Sequence, residues 1–232
     1  MTPSDGTPAA RSPLDLPDVA DLVVGVLGGT GPQGRGLAYR LARAGQRVII
    51  GSRDAGRAEA AAAGIGHGVT GADNATAAAR SDAVIVAVPW EGHGELLSGL
   101  RAELLGKIVI DCVNPLGFDK QGAYALTPEE GSAAQQAAAL LPGSRVTAAF
   151  HHLSAALLLD PEVETVDIDV MVLGEDRAAT DTVQALADRV PGMRGVFAGR
   201  LRNAHQVESL VANLISTNRR YKAHAGLRIT DV

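Results

Sequence analysis

Short apolar runs recur along the chain and alternate with longer helix-forming stretches. Residues 22–29 (LVVGVLGG), 47–53 (RVIIGSR), 82–89 (DAVIVAVP), 107–115 (KIVIDCVNP), 145–150 (RVTAAF), 167–175 (DIDVMVLGE) and 195–199 (GVFAG) each predict a β-strand. Such runs carry little polar alternation, as expected of parallel strands buried on both faces. Helices are predicted between them over 34–44, 54–63, 74–80, 96–105, 132–141, 177–190 and 201–222. The alanine tracts within these stretches favour helix and allow close packing against a sheet. Residues 64–74 (GIGHGVTGADN) read as a glycine-rich interruption, and 116–130 as a loop.

Strands alternating with helices at this spacing imply parallel βαβ units. Their crossovers are right-handed, which narrows the topology to a doubly wound α/β sheet of Rossmann type, mostly parallel, with a small C-terminal α/β portion. The expected division is a mobile tail over 1–20, rich in Pro, Ser, Thr and Asp, then a dinucleotide-binding domain over 21–153 and a smaller domain over 154–232.

Composition narrows the partners. The formal net charge is −5, which argues against a nucleic-acid or membrane-surface binder needing a basic field. Hydrophobic residues make up 46% of the chain, enough for a real core, yet no run approaches the ~18–20 residues of a membrane span. The N-terminus lacks the apolar core of a signal peptide. The lone Cys112 excludes an intrachain disulfide, and a reducing cytoplasm is the expected setting. No spaced Cys/His/Asp cluster points to a metal, so none is expected.

The first strand runs into Gly28-Gly29-Thr30-Gly31-Pro32-Gln33-Gly34, in which Gly29, Gly31 and Gly34 satisfy G-x-G-x-x-G. The motif follows a strand and opens a helix, which is the context that makes it informative. One glycine permits the turn, one lets backbone approach a pyrophosphate, and one lets helix and strand pack closely. The helix N-terminus then presents free N–H groups and the positive end of its dipole to the phosphates. Thr30 and Gln33 stand ready to hydrogen-bond the phosphates or the nicotinamide end.

A carboxylate at the end of the second strand would mark NAD. Here the strand ends in Gly51-Ser52-Arg53, with Arg57 one helical turn on. A hydroxyl and two guanidiniums attract a 2′-phosphate, and Arg53 can also stack on the adenine. Two charge-assisted bonds of ~1.5–3 kcal/mol each correspond to roughly 10²–10⁴-fold preference for NADP.

LGGTGPQGRGLA, VIIGSRDAGRAEA, VAVPWEGHGELL, AAFHHLSAALL and GRLRNAHQVESL, in that order, resemble the NADPH-dependent reductases of the deazaflavin coenzyme F420, the F420:NADP oxidoreductases. The resemblance runs from about Leu22 to near the C-terminus. It implies reversible hydride transfer between nicotinamide C4 of NADP(H) and C5 of the deazaflavin, by a homodimer. It implies that Ser52, Arg53 and Arg57 hold the 2′-phosphate and that Val88, Pro89 and Trp90 edge the nicotinamide site. It places His151 against the deazaflavin, and the deazaflavin site and dimer contacts in the C-terminal part. The N-terminal extension is longer than this family needs.

Hydride transfer needs two flat rings at near-attack distance in a dry cleft, and the reactive atoms belong to the coenzymes. A chain with no nucleophilic triad or carboxylate pair suits that chemistry. Ligands of open α/β sheets bind beyond the strand C-termini, where Val88-Pro89-Trp90, Val113-Asn114-Pro115 and Phe150-His151-His152 converge. His152 is expected to point away from His151, because neighbours on an extended segment face opposite sides. Cys112 reads as buried filler, Trp90 as ring wall or core, and Asp111 and Asn114 as ligand contacts or loop caps. Arg219, Arg220, Lys222 and Arg228 are candidates for an acidic coenzyme tail. Val207, Leu210, Val211, Leu214 and Ile215 form an apolar helix face suited to core or dimer packing. Two other readings share the opening unit. An NADPH-dependent imine or keto reductase of the pyrroline-carboxylate type would carry a longer all-helical domain after the sheet. A non-catalytic NADP(H) sensor would need no second ring pocket.

Overall fold

The computed structural model describes residues 16–232. In chain order the elements are β1 (Val23–Leu27), α1 (Pro32–Arg43), β2 (Arg47–Ser52), α2 (Ala55–Ile65), β3 (Thr70–Asp73), α3 (Asn74–Ala79) and β4 (Ala83–Val86). A single 3₁₀ turn at Trp90–Gly92 leads into α4 (His93–Gly99), α5 (Arg101–Leu104) and β5 (Ile108–Asp111). Then come β6 (Leu116–Asp119), β7 (Gly122–Ala125), α6 (Ala133–Leu140), β8 (Arg145–Ala148) and α7 (Ala155–Leu159). The chain closes with β9 (Asp169–Gly174), α8 (Arg177–Asp188), β10 (Arg194–Gly199), a 3₁₀ turn at Leu201–Asn203 and α9 (Ala204–Tyr221).

Among the described residues eight strands form one sheet, in the order β10-β9-β8-β5-β4-β1-β2-β3. From β3 to β8 all neighbours are parallel, in the doubly wound arrangement the alternating pattern predicted. The order reverses between β1 and β4, which opens a crevice beyond their C-terminal ends. Alternate strand residues feed two cores: Val24, Val26 and Ile85 lie on one side, Leu27, Val84 and Val86 on the other. Both faces are therefore dry, which is why the strands read as continuous apolar runs.

The boundary expected at residue 153 falls inside this sheet. β9 pairs antiparallel with β8 and β10 extends it in parallel, so the C-terminal part continues the sheet. Residues 1–15 of the expected tail lie outside the described residues. From 16 to 20 the chain packs on the core, with Val19 buried and Leu16 against it.

Three further regions differ from expectation. The glycine-rich stretch contains β3, and its Gly71 lets α2 pack on the strand: a Cβ there would lie 2.3 Å from the Ala58 carbonyl carbon. The expected loop at 116–130 contains the hairpin β6–β7, closed where Asp119 accepts bonds from the N–H groups of Gln121 and Gly122. Helix α7 was not foreseen. Buried Arg40 on α1 donates to the carbonyls of Leu157, Leu158 and Asp160, satisfying the free end of α7.

Candidate active site

The crevice at the β1/β4 switch holds two adjoining clefts. The first, of about 680 Å³, is lined by Gly28, Thr30, Gly31, Ser52, Arg53 and Arg57, and continues past Val88 and Pro89. The second, of about 400 Å³, takes in Val88, Pro89 and Trp90, then Gln33, His151 and His152. Ala87, Val88 and Pro89 belong to both, so the end of β4 forms the sill between them.

The turn after β1 explains the glycines. Gly28 has φ +74, and a Cβ there would lie 2.4 Å from the Ala87 carbonyl oxygen. A Cβ on Gly34 would lie 2.6 Å from the Gly28 oxygen, so α1 begins as close to β1 as backbone allows. Gly29, Pro32 and Gly34 line neither cleft; Gly29 presses on Ile50, Pro32 opens α1, and Gly34 sets the packing. Gly31 is the N-cap with no side chain in the way, leaving the first turn of α1 facing the cleft.

Ser52 is buried at the end of β2, while Arg53 and Arg57 are exposed at the cleft rim. Asp54 is committed elsewhere: its carboxylate accepts the Arg57 backbone N–H and caps α2. Among the described residues neither guanidinium has an acidic partner within salt-bridge distance. A concave surface with free helix N–H groups, a hydroxyl and two unpaired cations fits a dinucleotide carrying an extra phosphate. Asn74 and Glu95 also line this cleft, and the buried Asn74 Oδ1 has no partner. Asn74 follows β3, the strand hidden in the glycine-rich stretch, so no pattern in the sequence marked it.

The second cleft is built around a turn. Phe150 has φ +64, an uncommon value for a bulky residue. It ends the extended backbone of β8, so the rule of alternating faces stops before His151. Both His151 and His152 are 3% exposed and both line the cleft, which corrects the expectation for His152. None of their four ring nitrogens has a partner. Burial pushes each down to about 4; for His151 the Asp111 charge opposes this, and for His152 the neighbouring His151 adds to it. Both rings are therefore neutral near pH 7, each with one donor and one acceptor to offer.

The turn is pinned from two sides. Asn114 Nδ2 donates to the His151 carbonyl at 3.0 Å. Gln33 Nε2 donates to the Phe150 carbonyl at 3.4 Å, linking the glycine turn to the histidines. Cys112 also lines the cleft, but burial raises its thiol far above the ordinary range, and its Sγ donates to the Val86 carbonyl. It is packing, as expected. The remaining wall comes from α9: Val211, Leu214 and Ile215 line this cleft, beyond the core role predicted for that face. Of the basic candidates, Arg228 is held by Asp167 and Asp169, while Arg219, Arg220 and Lys222 are exposed near the end of α9.

Among the described residues no group of His, Cys, Asp and Glu could hold a metal ion, and no helix is long and apolar enough to cross a membrane.

A family profile described as "NADP oxidoreductase coenzyme F420-dependent" matches residues 23–115. The chain is 39% identical to the "F420-dependent NADP reductase" of Methanothermobacter thermautotrophicus, over 90% of this chain and 95% of the relative. A solved structure from Arthrobacter sp. FB24, described as a candidate F420-dependent NADP-reductase, superposes with a TM-score of 0.78 at 27% identity. It covers 90% of this chain and 99% of that one. An imine reductase of Bacillus cereus shares the fold alone, with a TM-score of 0.60 at 17% identity, covering 86% of this chain and 62% of its own.

Proposed function

The chain belongs to the coenzyme F420-dependent NADP oxidoreductases, and from that premise we propose how its two clefts divide the reaction between them. It is an NADP-dependent oxidoreductase acting on NADP(H) and coenzyme F420. The bound coenzymes supply the chemistry, a hydride exchanged between nicotinamide C4 and deazaflavin C5. The protein's share is to bind, orient and keep the cleft dry.

The first cleft takes NADP(H). The free N–H groups in the first turn of α1 receive the pyrophosphate, with Thr30 and Gly31 beside them; the Gly31 N–H itself is taken by the Gly28 carbonyl. Ser52, Arg53 and Arg57 receive the 2′-phosphate, which selects against NAD(H). Val88 and Pro89 form the sill on which the nicotinamide end lies, with Trp90 just past it in the second cleft. Pro89 suits that place because it lies beyond β4, at the start of the Trp90 turn, with no N–H left unpaired. The second cleft takes the deazaflavin. His151 presents a neutral imidazole there, able to donate to ring oxygen or nitrogen as negative charge develops. The observation that carries this reading is the shared sill: two clefts meet at Ala87–Pro89, one edged by unpaired cations and the other by unpartnered imidazoles. A sensor would need only the first.

The test mixes protein, NADPH and oxidised deazaflavin and follows the visible absorbance. Bleaching at a rate proportional to enzyme supports the reading. Tight NADPH binding without bleaching leaves a sensor and refutes it.

We also propose a homodimer. The hairpin β6–β7 carries exposed Phe118 and Tyr124 and packs on α9, an apolar surface suited to a second copy. Sedimentation of the parent and of Phe118→Glu tests this; a monomeric parent refutes it. A single buried thiol and an NADPH-linked reaction fit work in the cytoplasm.

A further inference from the structure

His93 opens α4 next to the Trp90 turn, and Asp111 ends β5. Both side chains are fully buried, with His93 Nε2 2.6 Å from Asp111 Oδ2. The other ring nitrogen, Nδ1, lies 2.9 Å from Oε1 of half-buried Gln136. Gln136 turns its amide nitrogen to the Glu130 carboxylate, 3.2 and 3.3 Å from the two oxygens. A carboxylate only accepts, so the amide oxygen must face His93. With Asp111 ionised, both partners of the ring are acceptors, both ring nitrogens donate, and His93 is an imidazolium. Burial opposes that charge. The charge and hydrogen bond of Asp111, then the bond from Gln136 and the field of Glu208 on α9, outweigh it and hold His93 above its ordinary value.

Neither residue lines a cleft, yet each is one step from a wall of the second. The His93 ring lies 5.6 Å from the Trp90 ring. Asp111 Oδ1 accepts the Val113 N–H at 3.0 Å, Val113 and Asn114 line the cleft, and Asn114 holds the His151 carbonyl. Desolvating two charges is costly, and an apolar pair of the same volume would fill this space as well. What an ionic pair adds is a fixed distance and direction.

We propose that the buried His93–Asp111 pair is a positioning element for hydride transfer, tying the Trp90 wall to the Val113–Asn114–His151 wall of the second cleft. The inference rests on the reaction assigned above. A misplacement of about 1 Å between reacting rings can cost about 10²-fold in rate, so a device that sets the separation acts on turnover. It acts little on NADP(H) affinity, because the phosphate contacts lie at the far end of the other cleft. The groups that bear on His93 are Asp111 from β5, Glu208 from α9 and Glu130 beyond Gln136; His151, neutral, faces Asp111 from the end of β8.

Three measurements test the pair. In the unligated parent, imidazole ¹⁵N resonances at neutral pH should show both His93 nitrogens protonated. Asp111→Asn should lower kcat about 10–10²-fold while KM for NADPH stays within about twofold. Gln136→Leu leaves the pair in place and removes one acceptor. It should move the alkaline fall of kcat down by about one pH unit, the worth of one hydrogen bond. A neutral His93 in the spectrum, a kcat unchanged in Asp111→Asn, a KM that rises in step with the loss of kcat, or an alkaline limb that does not move in Gln136→Leu each overturns the proposal. The nitrogen spectrum needs no turnover. A neutral ring therefore refutes the pair, whereas a parent that never reduces deazaflavin refutes the reaction.

Discussion

Replacing His152 with glutamine is expected to make the fold more tolerant of acid, by an amount that burial of the ring sets. An unfolded histidine titrates near 6.5, and the buried ring near 4. Between those values the unfolded chain takes up a proton that the folded chain refuses. A histidine depressed in this way contributes stability that is present above 6.5 and is lost as pH falls toward 4. The whole gap, about 2.5 pH units, is worth about 3 kcal/mol at about 1.4 kcal/mol per unit. Going from pH 7 to pH 5 realises about 2 kcal/mol of it. Other groups titrate in the same window. Glu208, buried and raised to about 7, works in the opposite sense, since its folded state favours the protonated acid. These contributions are common to parent and variant and cancel in the comparison. Urea unfolding at pH 7 and pH 5 should therefore show His152→Gln losing about 2 kcal/mol less than the parent. Equal losses would mean that His152 meets water in the folded protein, and the account of the second cleft as a dry, imidazole-lined wall would fall with it.

Other expectations follow from the first cleft and its supports. Arg57→Ala should weaken NADPH binding about tenfold, one charge-assisted bond discounted for exposure, and leave NADH binding unchanged by calorimetric titration. Gly34→Ala drives a methyl to 2.6 Å from the Gly28 oxygen; a loss of about 2 kcal/mol in stability and at least tenfold in NADPH affinity is expected. Arg40→Met strands buried carbonyls at the end of α7 and should lower the urea midpoint by the equivalent of about 3 kcal/mol, with m unchanged.

The parallel strands were legible because burial on both faces removes polar positions from them, and the glycine turn was legible because its geometry is local. Strand β3 was not, since Gly71 reads as a break while its actual task is to admit the backbone of α2. The hairpin was not, since its cross-strand pair sets Tyr124 over Gly117, a contact no periodicity reveals. His152 was misassigned because the left-handed turn at Phe150 has no mark in residue type. The His93–Asp111 pair could not be read at all: eighteen positions separate the two, and only the return of the chain from α4 to β5 brings them to 2.6 Å.

These failures share a cause. The pyrophosphate recognition proposed above uses backbone N–H groups at one helix start, so one contiguous segment, Gly28 to Gly34, suffices to propose it and a reader of sequence finds it. Recognition of a flat ring needs walls on several sides. The second cleft draws its walls from residues near 88–90, 112–114, 151–155 and 211–218, segments that meet only in the folded sheet. Its chemistry also depends on absence, since four ring nitrogens matter because no protein group satisfies them. A sequence lists groups and not their partners. The half proposed to bind phosphates is therefore written in a motif, while the half proposed for the second ring exists only as an arrangement, whose rigidity the proposed positioning role assigns to the His93–Asp111 pair.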